Sequence, residues 1–214
     1  MATSRAGDQP NPAPRRTQAA RREEAEQRLL EAAMEIVAQR GSVRMTLAEV
    51  GEAAGYSRGL PAHRFGSKAG LVHALAGYIG ERFGQQRKQG PALKPGLEAV
   101  LGNIHFYFSR KGDAFTATRA LLVMMTESCM EPASELRGEV AAYNRDALAW
   151  FEQHIRIGIE QGEIAADTDP AVSAVILLGA MRGVMLQWLV DDRIKLVAVR
   201  DRLLQIAEQV LRRR

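Results

Sequence analysis

The stretch Thr46–Lys68, which reads TLAEVGEAAGYSRGLPAHRFGSK, decides the fold that this sequence predicts. Thr46 followed three residues later by Glu49 is typical of a capping box, in which side chain and backbone at a helix start satisfy each other. Gly55 then predicts a left-handed end to this first helix. Apolar residues recur between these points at three- and four-residue steps, which predicts one buried face: Leu47, Val50 and Ala54.

A second short helix is predicted directly after the first. Ser57 is a candidate N-cap, the helix would run over 58–65, and Gly66 would end it. Pro61 is compatible with this helix if it lies in the first turn, where its missing N–H costs little. Two short helices joined by a turn that contains glycine form a helix-turn-helix, whose second helix enters a DNA major groove.

The predicted second helix is poor in apolar residues and rich in residues suited to nucleic acid. Arginine binds guanine edges or phosphate, and Gly59 would let the backbone approach DNA closely. Lys68, at the start of the next helix, adds an ammonium to N–H groups that attract phosphate. An ordinary solvated surface is the alternative interpretation. The predicted DNA-binding residues are Arg44, Thr46, Ser57, Arg58, Gly59, Leu60, Ala62, His63, Arg64 and Lys68.

The region 25–80 resembles the DNA-binding region of the TetR family of one-component regulators. The matching residues are Thr46, the AAG of 53–55, the SRG of 57–59 and the FGSK of 65–68. Two positions depart from the family pattern. Pro61 stands where many members carry an apolar residue such as leucine. Ala62 stands where many carry a phosphate-binding tyrosine, so that contact is not expected here.

The resemblance implies an all-α fold. An N-terminal three-helix helix-turn-helix domain would be followed by a C-terminal helical bundle for ligand binding and dimerisation. It also implies a repressor that binds a double-stranded operator as a homodimer and is released by a small effector. A helical protein-binding or architectural DNA-binding module without an effector is the alternative function.

Charge and composition predict three parts along the chain. Residues 1–21, rich in Pro, Ala and Arg, are expected to be a disordered basic tail that either contacts DNA or is only solvated. Residues 22–88 are expected to form the helix-turn-helix DNA-binding domain with its linking helix. Residues 1–88 together carry 14 Lys and Arg against 9 Asp and Glu, which suits a surface that meets phosphate. Residues 89–214 carry 15 against 16 and are expected to form the second domain, after a Gly- and Pro-containing boundary at 89–95.

The remaining segments show helical periodicity without strand alternation. Helices are predicted over 22–40, 68–87, 97–109, 114–130, 134–161, 170–190 and 196–213. TetR-family proteins usually dimerise through their last two major helices, and such helices from two chains would form a four-helix interface. Packing within one chain is the alternative. The predicted interface residues are Val175, Gly179, Arg182, Gly183, Leu186, Val199, Leu203 and Ile206.

Aromatic residues and methionines in the second domain are candidates for an effector pocket. Adaptable methionines and flat rings suit a small, at least partly apolar molecule. The alternative is that each of them only fills the core. The candidates are His105, Phe108, Met124, Met125, Tyr143, Phe151, Met181, Met185 and Trp188.

Other function classes find no support in the sequence. The four histidines lack metal-ligand spacing, and no nucleophile elbow, P-loop or dinucleotide loop is present. An enzyme, a cofactor and a metal are therefore not expected. Cys129 is the only cysteine, which excludes an internal disulfide. It is expected to be a small buried residue on a helix, with a redox-sensing thiol as the alternative. The apolar stretch Ala171–Val190 is interpreted as a core helix, and without a signal peptide or membrane span the protein is expected in the cytoplasm.

Overall fold

The computed structural model describes residues 17–109, 112–130 and 135–212. Within these ranges the regular structure is helical, apart from a single antiparallel β-bridge between Ile164 and Arg212. The predicted all-α fold is therefore confirmed. The helices are α1 (Gln18–Arg40), α2 (Leu47–Ala53), α3 (Leu60–Phe65), α4 (Lys68–Gln89), α5 (Leu97–Phe108), α6 (Asp113–Met130), α7 (Glu135–Glu160), α8 (Pro170–Val190) and α9 (Leu196–Leu211).

The first helix starts earlier than the sequence indicated. Thr17 is its N-cap, and the Thr17 hydroxyl accepts a hydrogen bond from the Ala20 N–H at 3.2 Å. Residues 18–21 are therefore helical and not part of a disordered tail. Residues 1–16 of the predicted tail lie outside the described residues. The helix ends at Gly41, whose φ of 86° is a conformation that favours glycine.

Two hydrophobic cores hold the helices together. The first joins α1, the helix-turn-helix, α4, α6 and the first half of α7. The second joins α5, α7, α8 and α9. Helix α6 contributes to both, because Met124 is buried in the first core and Leu122 in the second. The C-terminal region therefore packs directly on the helices that carry the helix-turn-helix.

Helix α8 has one buried and one exposed apolar face. Its buried face, as expected of a core helix, includes Leu177, Leu178 and Met181. On the other face Val175 and Ile176 are 57% and 63% exposed. By length and composition alone α8 could cross a membrane, although a soluble core helix passes the same test. Helix α9 adds further exposed apolar residues: Val197, Ile206 and Val210.

Candidate nucleic-acid interface

The first helix of the predicted motif is held by the expected capping box. The Thr46 hydroxyl accepts a hydrogen bond from the Glu49 N–H at 3.3 Å, and a Glu49 carboxylate oxygen accepts one from the Thr46 N–H at 3.0 Å. The Thr46 hydroxyl also donates to that carboxylate, and this hydrogen bond lowers the pKa of Glu49. The start of α2 is therefore fixed by its own sequence.

Small residues set the distance between α2 and α3. A Cβ atom on Gly51 would lie 2.5 Å from the Ser57 carbonyl oxygen and 3.1 Å from the Pro61 Cδ. Gly55 ends the first helix with a φ of 78°, as predicted. The Gly51 carbonyl then accepts a hydrogen bond from the Tyr56 N–H at 2.8 Å. These contacts fix the angle at which α3 leaves the turn.

The second helix begins two residues later than predicted. Leu60 is its first residue and Gly59 its N-cap, which makes no side-chain capping hydrogen bond. The prediction that Ser57 caps this helix is therefore wrong. Instead its backbone carbonyl accepts a hydrogen bond from the Leu60 N–H at 3.1 Å, which makes 57–60 a turn. Pro61 lies in the first helical turn, where its missing N–H costs little, and it is buried.

One side of α3 and its preceding turn faces solvent. Gly59, Ala62 and His63 are exposed there, whereas Leu60 is half-buried against the first core. The Arg58 side chain is 74% exposed, and its Nε lies 2.5 Å from a Glu52 carboxylate oxygen on α2. Further predicted DNA-binding residues are exposed nearby: Arg44, Thr46 and Ser57.

Arg64 does not belong to this exposed side, and the prediction that it is exposed is wrong. Its side chain is only 23% exposed. Its Nη2 donates a hydrogen bond to the Arg22 carbonyl at 2.7 Å, and its Nε lies 3.7 Å from a Glu26 carboxylate oxygen. Arg64 therefore braces the end of α3 against α1.

Lys68 has a structural contact that the sequence did not indicate. Ser67 caps α4 by accepting a hydrogen bond from the Gly70 N–H at 3.0 Å, which leaves Lys68 at the N-terminus as predicted. The Lys68 Nζ donates to the Val43 carbonyl at 2.6 Å. This contact ties α4 to the α1–α2 loop, residues 41–46.

The family comparison agrees with this geometry. Residues 29–75 match the family profile described as "Bacterial regulatory proteins, tetR family". Over this region the chain is similar to the TetR family. None of the curated proteins matches the sequence.

Solved structures extend the similarity to the whole TetR-family fold. A putative TetR-family regulator from Rhodococcus sp. is 22% identical, with a TM-score of 0.77 over 88% of this chain and 99% of that one. A putative regulator from Saccharomonospora viridis, solved with choline, is 21% identical, with a TM-score of 0.77 over 90% and 100%. SmeT, the repressor of the Stenotrophomonas maltophilia efflux pump SmeDEF, is 21% identical, with a TM-score of 0.68 over 88% and 90%.

The predicted pocket residues divide between the two cores. Met124 is buried in the first core, and Met125 and Tyr143 pack against it. The buried members in the second core are Phe108, Phe151, Met181 and Met185, and Trp188 packs against them. His105 is exposed and lines a groove of about 590 Å³ between α5 and α9. The structure therefore does not place His105 with the other candidates.

The predicted interface residues lie mostly on the exposed sides of α8 and α9. Val175, Gly179, Leu186 and Ile206 are exposed. Three others are half-buried: Gly183, Val199 and Leu203. Arg182 is also half-buried, and its Nη1 donates a hydrogen bond to the Asn144 side-chain oxygen on α7 of the same chain.

Cys129 and Glu127 lie in surroundings that the sequence did not predict. Cys129 is exposed, so the expectation that it is buried is wrong. Glu127 on α6 accepts hydrogen bonds from the α1–α2 loop, 85 residues away from Ser42 in sequence. No local pattern could have indicated a pair at this separation.

Proposed function

We propose that the chain is a transcriptional regulator that binds a DNA operator through the exposed side of α3. The observation that carries this proposal is the exposure of Gly59, Ala62 and His63 beside a capped, tightly packed turn. To read the major groove, a protein needs exposed side chains and backbone groups that can reach the base edges. In this proposal Arg44 and Thr46, which are exposed on the α1–α2 loop, would contact phosphate.

The active form in this proposal is a homodimer. The apolar face shared by α8 and α9 supports it, because a face this apolar is typical of protein–protein interfaces. Two recognition helices related by a two-fold axis would read half-sites about 34–36 Å apart. Val175, Gly179 and Ile206 would lie in the interface.

We further propose that a small effector relieves repression. The neighbouring structures include the repressor SmeT and a regulator solved with choline, which supports a repressor with a small-molecule ligand. Helix α6 contributes residues to both cores. A ligand that bound among the C-terminal helices could therefore shift the helices that position α2 and α3. The protein would act in the compartment that holds the DNA.

An electrophoretic shift with fragments of the gene's own promoter tests operator binding. We expect a shifted complex with the promoter fragment, competed by that fragment but not by scrambled DNA of equal length. The affinity should fall steeply with salt, because phosphate contacts release counterions. Equal competition by scrambled DNA would instead indicate an architectural DNA-binding protein, and no shift at low salt would contradict DNA binding.

A further inference from the structure

A partly buried cation lies where α7 and α8 meet. The Arg182 guanidinium donates a hydrogen bond to the Asn144 side-chain oxygen and lies 6.0 Å from the centroid of the Tyr143 ring. Desolvation by burial lowers the pKa of Arg182, although an arginine in a protein stays charged. Its surroundings therefore hold a positive charge away from most of the solvent.

No carboxylate forms an ion pair with this cation among residues 17–109, 112–130 and 135–212 with described side chains. Its neighbours are an amide and the two phenol rings of Tyr143 and Tyr107. Buried charges in proteins are normally paired, because an unpaired charge loses its hydration without compensation. Arg182 has five N–H donors, and its hydrogen bonds with the Asn144 and Tyr143 side chains do not use all of them.

The residues next to Arg182 along α8 and across from it on α7 are apolar and aromatic. Met181 and Met185 on the same helix are buried in the second core. Tyr143 packs on α4, with its ring centroid 6.3 Å from that of Phe83 and its Cδ2 3.5 Å from the position of a Cβ on Gly80. A ligand at Arg182 would therefore lie beside the helix that leads to the helix-turn-helix.

We propose that Arg182 binds the carboxylate of a small effector whose apolar body packs among these rings and methionines. The arginine fork matches a carboxylate with two parallel hydrogen bonds, which a neutral group cannot reproduce. This inference rests on the proposed function, because it names the chemical class of the effector.

The direct test is calorimetric titration of the full-length dimer with two acid–alcohol pairs. The probes are decanoate against decanol, and 4-phenylbutyrate against 4-phenylbutanol. We expect saturable binding of at least one carboxylate, at least about tenfold tighter than its alcohol, since charge-assisted pairing is lost with the alcohol. The Arg182→Met and Arg182→Gln variants should both lose about tenfold or more in carboxylate affinity.

A matched control is Arg200→Met. The Arg200 side chain is 17% exposed, but its Nη2 lies 2.7 Å from an Asp201 carboxylate oxygen, so its charge is already paired. Arg200→Met should leave carboxylate binding unchanged. Without ligand, Arg182→Met should unfold at the same or a higher temperature than the wild type, because an apolar side chain of similar size removes the desolvation cost.

Three results would overturn the proposal. The first is equal binding of acid and alcohol, or no binding of either acid. The second is full carboxylate binding by Arg182→Met. The third is dissociation of the dimer by this variant, which would place a partner chain at the cation. Operator binding without probe is measured in parallel. If the wild type does not bind the operator, the proposed function is contradicted. If it does bind the operator and any of the three results is found, only this inference is contradicted.

Discussion

The Glu127 carboxylate on α6 accepts hydrogen bonds from the backbone N–H and the hydroxyl of Ser42, at 3.0 and 2.5 Å. It also lies 3.4 Å from the Val43 N–H. A Cβ on Gly41 would stand 2.3 Å from a Glu127 oxygen, so the glycine makes room for the carboxylate. The Lys68 Nζ on α4 also donates a hydrogen bond to the Val43 carbonyl. The loop before α2 is therefore held by α4 and α6, one helix from each half of the chain.

Removing this carboxylate should destabilise the protein and loosen the loop. We expect Glu127→Gln and Ser42→Ala each to lower the free energy of unfolding by about 1–3 kcal/mol, as for hydrogen bonds to charged groups. A urea double-mutant cycle should give a coupling energy of about 0.5 kcal/mol or more. Glu24→Gln, which removes an exposed pair with Arg28, is the control and should cost less than about 1 kcal/mol. Strict additivity of the two changes would contradict a direct contact.

Two glycines of the motif should respond differently to alanine. Gly51→Ala should destabilise the protein by about 1–3 kcal/mol, because the new Cβ meets the Ser57 carbonyl. Gly59→Ala should leave the free energy of unfolding within about 0.5 kcal/mol, since nothing lies within 4 Å of its Cβ position. It should nevertheless weaken operator binding if this backbone approaches DNA. Thermal unfolding and fluorescence anisotropy measure the two effects, and unchanged operator affinity would remove Gly59 from the interface.

Side chains on the exposed side of α3 should control sequence discrimination. His63→Ala and Arg58→Ala should each reduce discrimination between the operator and its single-base variants by about 1–3 kcal/mol, with the dimer intact. Lys68→Ala should instead weaken binding evenly across the variants. Anisotropy titrations over one panel of duplexes separate the two patterns. If every variant lost affinity evenly, α3 would contribute only phosphate contacts.

A charge on the apolar face of α8 should separate the subunits. Val175→Glu would bury a carboxylate without a partner in the proposed interface, and it should weaken dimerisation on the order of a hundredfold. Val43→Glu, at a similarly exposed valine on the α1–α2 loop, is the matched control and should remain a dimer. Sedimentation equilibrium measures both. A Val175→Glu dimer of wild-type affinity would place the interface elsewhere.

Acidification should weaken the capping box of α2. The hydrogen bond from Thr46 lowers the pKa of Glu49 in the folded protein below its ordinary value of 4.5. Its charged form therefore contributes stability above that pH, and the contribution is lost as the pH falls through the lowered pKa. The stability difference between the wild type and Glu49→Gln should be constant near neutrality and shrink below about pH 4.5. A difference that grows on acidification would contradict this assignment.

Local chemistry explains what the sequence could predict. The capping box of Thr46 and Glu49, the turn at Gly55 and the helix ends at Gly41 and Gly66 are confirmed, because each depends on neighbouring residues. The cap at Ser57 was mispredicted because a backbone turn replaces it. The direction of Arg64 depends on α1, 42 residues earlier, and short-range spacing carries no information about it.

Polar contacts between residues far apart in the sequence could not be predicted. The contact of Glu127 with Ser42 and that of Arg182 with Asn144 join residues 85 and 38 positions apart. Periodicity identifies which face of a helix is apolar, but it does not say which helix that face meets. The pairing of polar groups across helices follows only once the packing is known.

The exposed valine and isoleucine side chains of α8 also affect the stability of the protein at low cellular concentration. If pairing covers that side, each subunit completes its structure only together with another, so association and folding form a single equilibrium. The midpoint of heat denaturation would then rise with protein concentration. A cell that makes few copies would therefore control the amount of intact regulator through its synthesis rate as well as through its ligand.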